Sequence, residues 1–73
     1  MQEGFNHIQE RLAQRIRRLR EEQQLSQEQL AFDADIDRTY VSQLERAICN
    51  PSLKILFKVA TALDVPLTDL LRK

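Results

Sequence analysis

The chain has 73 residues, of which 42% are hydrophobic and 30% charged, the composition of a globular protein rather than a disordered one. Eleven basic and eleven acidic residues give a formal net charge of zero, which counts against nucleic-acid binding by charge alone. No apolar run approaches the ~18–20 residues that cross a bilayer, and the polar stretch Met1–Gln14 is unlike a secretory signal, so we expect a cytoplasmic protein. The lone cysteine, Cys49, allows no internal disulfide bond.

Helical spacing runs through the whole sequence, and no segment alternates as a strand would. The sequence therefore predicts an all-α fold, a compact five-helix domain over residues 1–73. We place the helices at about 6–24, 27–34, 38–46, 53–63 and 66–72. Ser26, Asp37 and Ser52 are predicted N-caps, and Gln29 completes a capping box with Ser26.

The apolar residues of the two longer helices predict which faces are buried. The first helix buries a stripe and leaves its arginines Arg11, Arg15 and Arg18 solvated; the stripe is Phe5, Ile8, Leu12, Ile16 and Leu19. The predicted core face of the fourth helix is Leu53, Leu56, Val59, Ala60 and Leu63.

The second and third helices, 27–34 and 38–46, have the spacing of a helix-turn-helix. Ala31 lies where the helices must cross closely, and Ile36, Val41 and Leu44 fill the angle between them. In this motif the second helix is placed to enter the major groove of DNA. The polar residues of that helix occupy the opposite arc of about 140°; they are Arg38, Thr39, Ser42, Gln43 and Arg46. Side chains of these types read base edges or contact phosphates, although a polar arc is also what any solvated helix presents.

Three segments together resemble the phage repressor/Cro (XRE-type) helix-turn-helix family: LSQxxLA over 25–31, DRTYVSxLER over 37–46 and NPSL over 50–53. The DRTY segment is most similar to the controller proteins of restriction–modification systems. The resemblance covers about residues 12–71. It implies a homodimeric transcription regulator, without cofactor or metal, that binds a near-palindromic double-stranded DNA operator.

The resemblance also implies roles for individual residues. Base-reading positions match Arg38, Thr39, Ser42 and Gln43, whereas backbone-contacting positions match Gln27, Tyr40, Arg46 and Asn50. Arg20 and Glu45 match a pair that commonly forms a salt bridge between the first and third helices.

The sequence departs from the family where the family usually has glycine after a helix. Those positions hold Gln24, Asp35, Ala47 and Asp64. If the backbone is conserved, some of these residues have positive φ, and we predict at least one left-handed residue among them. At Ala47 that conformation costs about 1–2 kcal/mol; the alternative is a relaxed loop there, which would shift Arg46 and Asn50.

The C-terminal region, about 52–73, contains more apolar residues than one small domain buries, which predicts a dimer interface. Its candidate residues are Ile55, Phe57, Val65, Leu67, Leu70 and Leu71. Phe5 and Ile8 either cap the monomer core or join this interface. Two subunits would read half-sites about one helical turn apart, ~34 Å.

Two other function classes are an enzyme and a protein-interaction module. An enzyme is disfavoured because the only histidine, His7, has no metal-ligand spacing to another histidine or to cysteine, and no catalytic set is apparent. The alternative to a DNA-binding regulator is a protein-interaction module or antitoxin of the same fold. RNA polymerase is a candidate further partner, whereas no membrane or small-molecule ligand is expected. The sequence does not distinguish an activator from a repressor.

Overall fold

Five α-helices make up the secondary structure of residues 3–73, the part of the chain that the computed structural model describes. They are α1 (Phe5–Glu22), α2 (Gln27–Ala34), α3 (Arg38–Glu45), α4 (Leu53–Ala62) and α5 (Leu67–Leu71). The all-α, five-helix prediction is confirmed, with ends displaced by one or two residues. None of these helices combines the length and the apolar character that crossing a membrane requires.

Serine side chains begin two of the helices. Ser26 Oγ accepts the amide of Gln29 at 2.9 Å, and Ser52 Oγ accepts the amide of Ile55 at 3.2 Å. The capping box is only half formed, because the Gln29 side chain donates to Asp33 instead of returning to the cap. Asp37 is the N-cap residue of α3 but its side chain makes no capping hydrogen bond.

Four helices end in a residue with left-handed backbone: Gln24 (φ 59°), Asp35 (φ 56°), Ala47 (φ 58°) and Asp64 (φ 59°). After each, the next amide donates to a carbonyl five residues earlier, as from Leu25 to Arg20 and from Ile48 to Gln43. This is the Schellman ending, which normally uses glycine. The predicted left-handed conformation is therefore present at all four positions, and the relaxed loop considered at Ala47 is wrong.

The core lies where α1 packs on α3 and α5, and where α4 packs on α2 and α5. Its buried residues are Leu12, Ala13, Ile16, Leu30, Ala31, Ala34, Val41, Leu44, Leu56, Val59, Ala60, Leu63 and Leu70. Leu53, predicted for the core, is 67% exposed instead, and Phe5, for which the core and the interface were both left open, is 55% exposed. Leu53 is in the first turn of α4, roughly 70° around the helix from the buried stripe. Phe5 is the first residue of α1, beyond the helices that cover the rest of its stripe.

Arg11 and Arg15 correct a second prediction, because they do not lie free on the solvated side of α1. Both are half-buried and donate to main-chain carbonyls at the end of α5. Arg18 is exposed as predicted and faces Glu22 one turn later at 3.7 Å.

Candidate nucleic-acid interface

The α2–turn–α3 unit is rigidly defined by a few small or apolar residues. Ala31 is 3% exposed, so the two helices approach closely, and Asp35 reverses the chain with left-handed angles (φ 56°, ψ 50°). The amide of Ile36 donates to the carbonyl of Ala31 at 3.0 Å, and the Ile36 side chain packs on the core. The turn is thus fixed by its own hydrogen bonds and by packing, and it sets the angle at which α3 leaves.

The outer face of α3 brings together the four side chains predicted to read bases. Val41 and Leu44 are 0% and 3% exposed, which fixes the inward side of the helix. Arg38 and Thr39 in the first turn are exposed, and Ser42 and Gln43 one turn later are half-buried. Positions four apart lie above one another on a helix, so these four residues form one continuous polar surface.

A largely buried ion pair joins α1 to α3. Arg20 donates to both carboxylate oxygens of Glu45, from Nε at 2.6 Å and from Nη2 at 2.9 Å, and these side chains are 12% and 4% exposed. The hydrogen bonds with Glu45 raise the pKa of the Arg20 guanidinium, against the opposing effect of burial. The pair implied by the family resemblance is therefore present, and its bidentate geometry fixes the end of α3 relative to α1.

The same carboxylate extends the network to the start of α2. Gln27 Nε2 donates to Glu45 Oε1 at 3.1 Å, while Arg20 Nη1 donates to the carbonyl of Leu25 at 2.8 Å. Gln27 therefore has a defined orientation at the N-terminus of α2, where unpaired backbone amides favour an anion. The family resemblance assigns Gln27 to the DNA backbone, and its bond to Glu45 was not predicted.

The segment after α3 is tied to α1. Gln9 Nε2 donates to the carbonyl of Cys49 at 2.8 Å, so this loop is held from a residue forty positions away. Burial raises the pKa of the Tyr40 hydroxyl and of the Cys49 thiol, whose side chains interact. Arg46 and Asn50 are exposed on either side of this anchored loop, and Arg46 Nε lies 3.4 Å from the carbonyl of Ser42.

Charge is segregated around the motif. Residues 27–37 contain four carboxylates and no basic residue, and all four carboxylates are exposed: Glu28, Asp33, Asp35 and Asp37. Among them is Phe32, the most exposed large apolar side chain of residues 3–73 at 81%. Phe32 was not predicted as a functional residue, although its place opposite Leu30 and Ala34 on the helical wheel predicts exposure. Across residues 3–73, no three His, Cys, Asp or Glu side chains are grouped closely enough to hold a metal ion.

The predicted dimer residues separate into three groups. Leu70 is wrong as an interface residue, because it is 0% exposed and belongs to the core of its own chain. Ile55, Val65 and Leu67 are half-buried against that core. Phe57 and Leu71 are exposed, at 60% and 38%, and Leu71 lines an apolar groove with Phe5, Ile8 and Leu56.

The "Helix-turn-helix" family model (HTH_3) matches residues 16–70, which include α2, α3 and α4 in full. The chain belongs to this helix-turn-helix family. One sequence relative is the control protein C.BamHI from Bacillus amyloliquefaciens, which is 42% identical over 67 residues. That alignment covers 90% of this chain and 83% of the relative.

Two solved structures extend the likeness to three dimensions. The helix-turn-helix chain superposes on the restriction-modification controller protein C.AhdI from Aeromonas hydrophila with a TM-score of 0.83 and 45% identity, covering 85% of this chain and 94% of that one. It also superposes on SinR, the master regulator for biofilm formation, in complex with DNA, with a TM-score of 0.80 and 39% identity. That match covers 84% of this chain and 98% of the SinR chain.

Proposed function

We propose that this helix-turn-helix protein is a sequence-specific transcription regulator that reads double-stranded DNA through α3 as a homodimer. It is a restriction–modification controller or a related repressor or activator. The observation that carries the proposal is the polar outer face of α3, held outward by buried Val41 and Leu44 and locked in orientation by the Arg20–Glu45 pair. The controller proteins and the DNA-bound regulator among its relatives support the same reading.

Each base-reading residue has a chemistry suited to the major groove. Arg38 offers a bidentate contact to guanine, Gln43 can pair with adenine, and Thr39 offers its methyl group to thymine. Ser42 both donates and accepts, so it suits either a base or an ordered water. Because Arg38 and Thr39 are in the first turn and are the most exposed of the four, we assign them the deepest contacts.

The phosphate contacts frame this surface. Gln27 gives one amide hydrogen to Glu45 and retains a second for a phosphate oxygen, next to the amides at the start of α2. Tyr40 in the first turn of α3, and Arg46 and Asn50 after its last residue, are assigned to further phosphates. With so few phosphate contacts per subunit, the affinity should depend only modestly on salt, by about 0.9 in log–log slope for each phosphate neutralised.

The dimer surface that we propose comprises Phe57 and Leu71, joined by Leu53, which was predicted for the core, and by Phe5, for which both the core and the interface were left open. These four side chains are 38–67% exposed on the α4–α5 side and the adjoining start of α1. Covering them in a second copy would remove apolar area from water and place two α3 helices on successive half-sites. The monomer–dimer equilibrium then makes DNA occupancy depend on protein concentration.

We propose that this activity is binding without catalysis and without a small-molecule ligand, in a cytoplasmic, nucleoid-associated location. RNA polymerase is a further proposed partner, because a regulator bound beside a promoter either excludes the polymerase or contacts it. The position of the operator relative to the promoter decides between repression and activation.

A selection from random duplex DNA tests the proposal. We expect a near-palindromic motif, and Arg38→Ala should cost about 1–3 kcal/mol at one position of each half-site while leaving the melting temperature unchanged. Arg46→Ala is the matched comparison, because losing a phosphate contact weakens all sequences alike and lowers the salt slope by about 0.9. A drop in melting temperature on Arg38→Ala would assign this residue to the structure instead.

The second candidate is a protein-interaction module, and one observation favours it. Phe32 is 81% exposed and belongs to the segment 27–37, which has four exposed carboxylates and no basic residue, a surface unsuited to phosphates but suited to a cationic protein. If no DNA motif is selected, and if Phe32→Ser abolishes the regulatory phenotype in cells, this second function replaces the first.

A further inference from the structure

The C-terminal helix α5 is held in place by two arginines of α1. Arg15 donates to the carbonyl of Asp69 and, at 3.3 Å, to the carbonyl of Arg72. Arg11 donates to the carbonyl of Leu71 at 2.9 Å and pairs through its other terminal nitrogen with Glu3. We refer to Arg11 and Arg15 as the α5 clamp.

The clamp supplies the hydrogen-bond donors and the positive charge that α5 lacks at its C-terminal end. A helix of five residues is far shorter than the ~12–15 residues that are marginally stable in water, and its last carbonyls have no partner within the helix. Two guanidinium groups near these carbonyls complete their hydrogen bonds and complement the negative end of the helix. Apart from the clamp, α5 is attached by Leu70, which is fully buried, and by Leu67, which is half-buried against the core.

The residues fixed by the clamp include one on the proposed dimer surface. The carbonyl of Leu71 is bound by Arg11, while its side chain lines the apolar groove that contains Phe5, Ile8 and Leu56. Phe5, Ile8 and the clamp are all on α1. This helix therefore forms one wall of the groove and, through the clamp, holds Leu71 in the other wall. Movement of the last turn of α5 would open this groove and change its shape.

We propose that Arg11 and Arg15 are positioning residues of the homodimer. They hold Leu71 against the start of α1 before the subunits associate. A second copy then packs on an apolar surface that is already ordered, and binding does not include the entropic cost of ordering α5. This inference rests on the proposed function, in particular on dimerisation through the α4–α5 side. It gives Arg11 and Arg15, two charged residues of α1 that lie away from the DNA-reading face, a role in dimerisation.

The test measures the dimer dissociation constant of the full chain by sedimentation equilibrium. Arg15→Gln should raise the constant about tenfold or more, and Arg11→Gln by less, because it frees one carbonyl instead of two. Arg18→Gln is the matched control: it removes the same charge from the same helix, but Arg18 faces only Glu22 and should shift the constant less than about twofold. Circular dichroism at a concentration where the chain is monomeric should show the loss of no more than the five helical residues of α5 in the two clamp variants, and no loss in Arg18→Gln.

The possible results of these measurements support or overturn the clamp proposal as follows. Unchanged dimerisation of a folded Arg15→Gln protein, or an equal effect of Arg18→Gln, overturns the clamp and leaves the dimer proposal intact. If Arg15→Gln does not fold, Arg15→Lys keeps the charge but replaces the guanidinium fork, which reaches two carbonyls, with a single ammonium nitrogen; an intermediate constant supports the clamp, and a wild-type constant overturns it. A wild-type chain that stays monomeric at every concentration overturns both proposals.

Discussion

The left-handed residue after α3 provides a sharp test of the backbone geometry. Ala47 has a φ of 58°, a conformation that costs a residue with a Cβ about 1–2 kcal/mol and costs glycine nothing. Ala47→Gly removes this strain but adds about 0.5–1 kcal/mol of backbone entropy to the unfolded chain. The net expectation is a gain of about 0.5–1 kcal/mol, or roughly 2–8 °C in melting temperature for a chain of this size.

The assay is urea unfolding followed by circular dichroism, at one fixed protein concentration because dimerisation changes the apparent stability. Ala62→Gly is the matched control, since Ala62 lies in the right-handed backbone of α4. There the same change should lower the stability by about 0.5–1 kcal/mol. DNA binding should be unaffected by Ala47→Gly, because the loop keeps its conformation. A loss of stability at Ala47, equal in sign to that at Ala62, would refute the left-handed assignment and restore a relaxed loop.

Two further predictions concern the buried polar groups. Glu45→Ala leaves the Arg20 guanidinium mostly buried without its partner, so we expect a loss of about 3 kcal/mol in urea unfolding; a loss below about 1 kcal/mol would give the pair no more weight than a surface ion pair. Cys49 should react with iodoacetamide at pH 8 more slowly in the folded than in the urea-unfolded chain, because burial raises the pKa of its thiol and the thiolate is the reacting form. Equal rates in the two states would contradict that environment.

Local signals in the sequence predicted much of the fold. Ser26 and Ser52 start their helices through bonds to an amide three residues on, and a helix ends where the pattern of apolar residues lapses. The left-handed residues were predicted only by comparing the chain with its family, because Gln24 and Ala47 have no intrinsic preference for that conformation. The surrounding Schellman hydrogen bonds impose it on them.

Long-range contacts explain the errors. A helical wheel shows that Arg11 and Arg15 lie off the core stripe of α1, but it does not show that the end of α5 lies within reach of both. Similarly, the apolar character of Leu53 and Leu70 predicts that each is covered, but not by which part of the molecule. Packing against the other helices determines whether each residue is covered within the chain: it buries Leu70 and leaves Leu53 exposed.

The zero net charge is compatible with DNA binding because the charges are sorted by element. On α3 the one carboxylate, Glu45, is neutralised by Arg20, so the remaining charges of the helix and its C-cap are those of Arg38 and Arg46. Residues 27–37 carry four negative charges with no basic neighbour in the segment, two of them on α2, one on its C-cap Asp35 and one on Asp37, the N-cap of α3. These charges repel phosphates from α2 and the turn. We therefore expect a duplex to approach with the outer face of α3 leading. Because that approach offers few phosphate contacts, most of the binding energy has to come from base contacts, and affinity for random DNA should be weak even at low salt.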